Sequence, residues 1–121
     1  MRTGTACGKG RIACDLAASA KALEAIVDRV AERAPSATTI VASLVPTQSP
    51  AMDLRGDAYV AEVAKLVEAR AARGVRIRYA DMRAAFATRE GYRTQLLADL
   101  VHPNDAGYAV MAEVWAKVVW P

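Results

Sequence analysis

Apolar residues recur at helical spacing through Leu16, Ala20, Leu23, Ile26, Val27 and Val30. Arg29, Glu32 and Arg33 fall mostly on the other face. Asp15 can cap this helix, and Pro35 ends it, since the residue before a proline avoids the helical region. The run Thr38-Thr39-Ile40-Val41-Ala42-Ser43-Leu44 shows no alternation of apolar and polar positions. That suits a strand buried on both faces of a parallel sheet. A loop through Thr47, Gln48, Ser49, Pro50 and Gly56 separates it from a second helix, for which Asp57 is the expected cap. Val60, Val63, Ala64, Val67 and Ala71 form its stripe, and Gly74 is its stop. Val75 to Ala80 reads as a second strand, ending in Asp81. Residues 82–98 read as a mixed connection with helical turns at Arg83–Phe86 and Gln95–Ala98. The last helix runs from about Asn104 to Val119, with Tyr108, Met111, Ala112, Trp115 and Val119 along one side. Trp115 and Met111 are most simply core.

The order is helix, strand, helix, strand, connection, helix. Strand–helix–strand in so short a span is a βαβ unit, for which a right-handed crossover is expected. The fold class is therefore α/β, a three-layer α/β/α arrangement. Two strands between helices make a marginal domain, because a doubly wound sheet needs more strands to cover its helices. Physically, the chain reads as the C-terminal half of a larger fold. Either it is truncated at its N-terminus, or it completes its open sheet edge with a partner, a second copy included.

The 121 residues suffice for one domain. Residues 15–121 are expected to form it, with residues 1–14 irregular apart from a short strand around Ile12. Net charge is +3, but the two signs are interspersed. Arg70, Arg73, Arg76 and Arg78 read as a solvated helix end and strand edge, and with no basic block no nucleic-acid partner is expected. No apolar run is long enough to span a membrane. The N-terminus lacks the apolar segment of a signal peptide, so the chain as written belongs in the cytoplasm; a missing leader would make it secreted. Cys7 and Cys14 match neither a zinc knuckle nor a redox pair, and nothing around them marks a reactive thiol.

The chemistry-bearing stretch is Asp99-Leu100-Val101-His102-Pro103-Asn104-Asp105-Ala106-Gly107-Tyr108, which holds the only histidine. Histidine is the natural general base near neutral pH. A carboxylate that accepts from Nδ1–H fixes the tautomer and leaves Nε2 facing outward. Asp99 and His102, three apart on a tight turn, can make that contact. Pro103 stiffens the backbone after the histidine, and Asn104 can cap the final helix with Asp105 in its first turn. Spacing alone also allows a surface pair or a capped turn. A metal held by Asp99, His102 and Asp105 would lack a second histidine or a cysteine, so neither metal nor cofactor is expected.

This stretch, continuing through Met111-Ala112 and Trp115, resembles the last conserved block of the SGNH (GDSL-type) hydrolases, D-x-x-H-P followed by N-x-x-G-Y and M-A. The strand ending in Asp81-Met82 and the segment Ser43-Leu44-Val45-Pro46 resemble the family's last strand and its earlier strand and loop. Similarity is greatest to bacterial secreted esterases related to carbohydrate acetylesterases. The resemblance implies a flavodoxin-like fold and ester hydrolysis through an acyl-enzyme, with His102 as base and Asp99 as its orienting acid. It also implies a small ester substrate. The sequence departs from the pattern in having no G-D-S. Ser19, Ser36, Ser43 and Ser49 lie on a helix face, in a turn, at a strand end and in a loop. Gly4-Thr5-Ala6-Cys7 stands near the family's G-x-N-D block, with Ala6 where an asparagine donor should be. The expectation is an ester hydrolase lineage in a chain that lacks the nucleophile and is inactive alone. The alternative is a non-catalytic α/β module that pairs its open sheet edge with a partner.

Overall fold

The protein is described here by a computed structural model over residues 16–121. The expected irregular segment, the strand around Ile12, the Asp15 cap, both cysteines and the Gly4–Cys7 block lie outside the described residues. Seven elements follow: α1 (Leu16–Arg33), β1 (Thr39–Ala42), α2 (Pro50–Ala72), β2 (Ile77–Ala80), α3 (Met82–Ala87), α4 (Tyr92–Gln95) and α5 (Asp105–Val119).

The strands are parallel, in register from Thr39 opposite Ile77 to Ala42 opposite Ala80, and α2 connects them. Side chains alternate across the sheet as strand geometry requires. Val41, Ile77 and Tyr79 face one core with Val27 of α1 and Val63 and Val67 of α2. Arg78 points the other way and donates from Nη1 to the carbonyl of Val118 at 2.7 Å, near the end of α5. The layers are thus α1 and α2, the two strands, and α5, an α/β arrangement of flavodoxin-like type. A second core of Phe86, Leu96, Leu97 and Val110 joins α3, α5 and the loop between α4 and α5.

Five local readings differ from the structure. Helix α2 begins at Pro50 rather than after Asp57. Ser49 caps it by accepting from the Met52 N–H at 3.2 Å, and a proline at the first helical position has its φ already set and loses no hydrogen bond. Gly56 is therefore helical. A Cβ there would come within 2.9 Å of Arg83 Nη2, so the glycine makes room for that guanidinium. Arg70 is not solvated. It is buried and clamps α2 to α1, donating from Nε to Asp28 at 2.7 Å and from Nη2 to Glu24. The short helix α4 precedes the expected turn at Gln95–Ala98, because Gly91 at φ +69° turns the chain into it. Leu97 instead forms an antiparallel bridge with Pro103.

The last difference concerns α5. Its covered side is Gly107 and Val110, with Met111 half-buried against the second core. Trp115, read as core, is 37% exposed, and Tyr108 and Val119 on the same stripe are exposed too. These residues sit about 100° around the helix from the covered line. The described sheet offers only β2 beneath α5, and no further strand reaches that stripe. Ile26 is likewise exposed, one residue from the buried Val27.

Candidate active site

The loop between α4 and α5 is closed by its own backbone. Ala98 N–H donates to the carbonyl of His102 at 2.7 Å, just inside the Leu97–Pro103 bridge. Within that loop Asp99 Oδ1 accepts the N–H of Val101 at 2.9 Å and of His102 at 2.8 Å. An aspartate that bonds the backbone two and three residues on makes a tight turn and fixes its own carboxylate. Both carboxylate oxygens then lie 2.9 Å from His102 Nδ1. These bonds, the two backbone donors first and the imidazole third, hold the Asp99 carboxyl below the usual carboxylate range. The pair stands in solvent, with the His102 side chain 67% exposed and its Nε2 outward of the contact.

Three anchors hold the loop. Asn104 Oδ1 accepts the Gly107 N–H at 2.9 Å and caps α5, as its position in the sequence suggests. The same side chain donates from Nδ2 to the Gln95 carbonyl at 2.9 Å, and its N–H bonds the Leu96 carbonyl at 3.0 Å. Leu97, part of the second core and bridged to Pro103, ties the loop to that core. On the far side, the Gln48 N–H donates to the Leu100 carbonyl at 2.9 Å. That contact joins the β1–α2 loop directly to the segment between Asp99 and His102.

Sequence reasoning missed what lies behind Gln48. Asp53, in the first turn of α2, is 6% exposed. Its Oδ1 accepts the Thr47 N–H at 2.8 Å and the Thr47 hydroxyl at 2.9 Å. Its Oδ2 accepts from Arg93 Nη2 of α4 at 2.8 Å. Arg83 donates to the Asp53 carbonyl at 2.8 Å and from Nε to Asp57 at 2.8 Å. The available signal was Ser49-Pro50 followed by an acid, a helix start that brings Asp53 off the loop and onto a first turn.

None of the chain's four serines hydrogen-bonds His102. Ser43 is buried and donates to Asp81 Oδ1 at 3.2 Å, while accepting the Arg83 N–H at 3.0 Å. Ser49 is spent on the α2 cap. Ser19 is exposed on α1, and Ser36 lies in the turn before β1. Among the described residues no three His, Cys, Asp or Glu side chains cluster as a metal site.

The sequence matches the GDSL-like Lipase/Acylhydrolase family over residues 8–110. The chain belongs to that family. It is a GDSL-like, SGNH-type hydrolase-family chain. Among solved structures it is similar to a Clostridium thermocellum family 3 carbohydrate esterase, with a TM-score of 0.64 at 20% identity. That match covers 87% of this chain and 47% of the other, so this chain spans about half the length of that esterase. At this identity the likeness concerns the fold. No curated protein matches the sequence. Among the described residues of this GDSL-like chain, no helix is long and apolar enough to cross a membrane.

Proposed function

We propose that Asp99 and His102 are the acid and base of a Ser-His-Asp ester hydrolase, acting on a small ester of the acetylated-carbohydrate class. The observation that carries this reading is the pair of 2.9 Å contacts from the Asp99 carboxylate to His102 Nδ1. On this reading Nδ1–H donates to the carboxylate, and in the neutral ring Nε2 keeps its lone pair. Nε2 takes the proton of the nucleophile's hydroxyl as its oxygen attacks the ester carbonyl. Asp99 stabilises the imidazolium so formed, and Nε2 returns the proton to the departing alcohol. Water then repeats the sequence to release the acid. Ser43 and Ser49 are committed to other partners, so the nucleophile comes from polypeptide other than residues 16–121, and the chain alone hydrolyses esters barely above background.

The test is p-nitrophenyl acetate hydrolysis by the chain alone and by the chain joined to, or mixed with, an N-terminal half of a GDSL-like enzyme carrying G-D-S. The combination should gain activity, and His102→Ala should abolish the gain. Undiminished activity in that variant would overturn the assignment.

A second reading rests on a separate observation. Ala42 is exposed on the face of β1 opposite the first core, and the Tyr108–Trp115–Val119 stripe of α5 is uncovered too. The open edge of β1 then pairs with another chain, a second copy included, without catalysis. Sedimentation showing a monomer at all concentrations counts against it.

A further inference from the structure

We propose that Asp53, far along the chain from the candidate dyad, is a positioning residue for His102. This rests on the reading of Asp99 and His102 given above, and deepens it. Asp53 reaches the dyad loop from two sides. On one side its carboxylate fixes both the N–H and the hydroxyl of Thr47. The Thr47 oxygen in turn accepts the Ser49 N–H at 3.0 Å, so the residues on either side of Gln48 are pinned. Gln48 passes that fixed geometry to the dyad loop through its bond to the Leu100 carbonyl. On the other side Arg93 ties Asp53 to α4. The carbonyls of Gln95 and Leu96, at the end of α4, receive the Asn104 side chain and N–H. Asn104 stands two residues after His102.

The dyad needs such outside support because its own surroundings are wet. Asp99 and His102 are exposed on a short loop, with no packed wall to hold the imidazole. Asp53 is buried, charged and bonded on both oxygens, so it is a rigid centre in a way that the exposed pair is not. A carboxylate there also costs desolvation, which its three donors offset. Arg83 completes the enclosure by donating to the Asp53 carbonyl and to those of Leu44 and Val45, the latter two at 3.3 Å.

The experiment uses the full chain, whose only histidine gives one unambiguous set of imidazole resonances. Ring ¹⁵N shifts report which nitrogen carries the proton, and hydrogen exchange reports on the Gln48 amide. The wild type should hold the Nδ1–H tautomer, whereas free histidine in water favours Nε2–H. Asp99→Asn should revert His102 toward the solution preference; if it does not, the dyad reading itself fails. Asp53→Asn should move the tautomer part of the way and speed Gln48 exchange by about tenfold. Val67→Ala, a cavity in the first core, serves as a control that lowers stability without moving the tautomer. If Asp53→Asn does not fold, Thr47→Val decides, since it removes the hydroxyl link alone. A folded Asp53→Asn or Thr47→Val chain with unchanged tautomer and unchanged Gln48 exchange, beside a responsive Asp99→Asn, would overturn the proposal and leave the dyad standing.

Discussion

Gly107 lies hard against the backbone of Leu96: a Cβ on the glycine would stand 2.3 Å from the Leu96 carbonyl oxygen and 2.9 Å from Cβ of Pro103. The first turn of α5 therefore docks onto the loop at a separation that no side chain permits. Gly107→Ala is expected to destabilise the protein by about 1–3 kcal/mol, the usual cost of overpacking. It should also pull Asn104 away from Leu96, since the added Cβ would crowd the carbonyl that accepts the Asn104 N–H. Urea denaturation measures the first effect and amide exchange at Asn104 the second.

Asn104 has two separable tasks. Asn104→Ala removes the cap and the bond to Gln95, and should cost about 1–2 kcal/mol. Asn104→Asp keeps an oxygen for the Gly107 N–H and loses only the donor to Gln95. It should fall between wild type and alanine in a chemical melt. Equal stabilities for the two variants would show that the cap contributes nothing.

Phe86 is fully buried at the centre of the second core. Phe86→Ala should cost about 3–5 kcal/mol from lost burial and the cavity left behind. For a chain with two small cores, that approaches the total stability of a typical domain. Thermal unfolding followed by circular dichroism is the check, with a broad or absent transition expected.

Acid should weaken the fold through identifiable carboxylates. Asp28 is held below the ordinary range chiefly by its hydrogen bonds to Arg70, and Asp99 by the N–H groups of Val101 and His102. A carboxyl whose folded value is depressed contributes stability above its unfolded value and loses it as pH falls through the folded one. The loss should therefore set in below about pH 4. Asp28→Asn combined with Asp99→Asn should flatten this limb of the stability–pH curve. Both carboxylates are exposed, so added salt should reduce the effect.

The parts of the fold written in local pattern were legible from sequence. The stripes of α1 and α2, the Gly74 stop and the Asn104 cap each depend on neighbours a few residues away. Gly74 has φ +91°, which glycine alone adopts without strain. The start of α2 was hidden because Pro46, Pro50 and Gly56 together resemble a loop, although Pro50 follows a capping serine. The burial of Arg70 and of Asp53 was hidden for a different reason. Their partners, Asp28 and Glu24 for one and Arg93 for the other, are about forty residues away in the chain, and periodicity carries no information at that distance. Trp115 was misplaced because an apolar stripe says that a helix has something to cover, and not what is there to cover it. The contact of Asp99 with His102 could be anticipated because it closes over three residues. The link from Gln48 to Leu100 could not.

Both tryptophans of the chain, Trp115 and Trp120, sit at the end of α5, and both are exposed, Trp120 at 77%. The intrinsic fluorescence of this protein therefore comes from the C-terminal end of α5. Emission from the isolated chain should lie at the red wavelengths of hydrated indole. Any polypeptide that settles over α5 will shift it to the blue, while a small ester arriving at His102 will leave it largely unchanged. An optical signal already present in the chain thus separates covering that end of α5 from occupying the histidine loop, with no label attached.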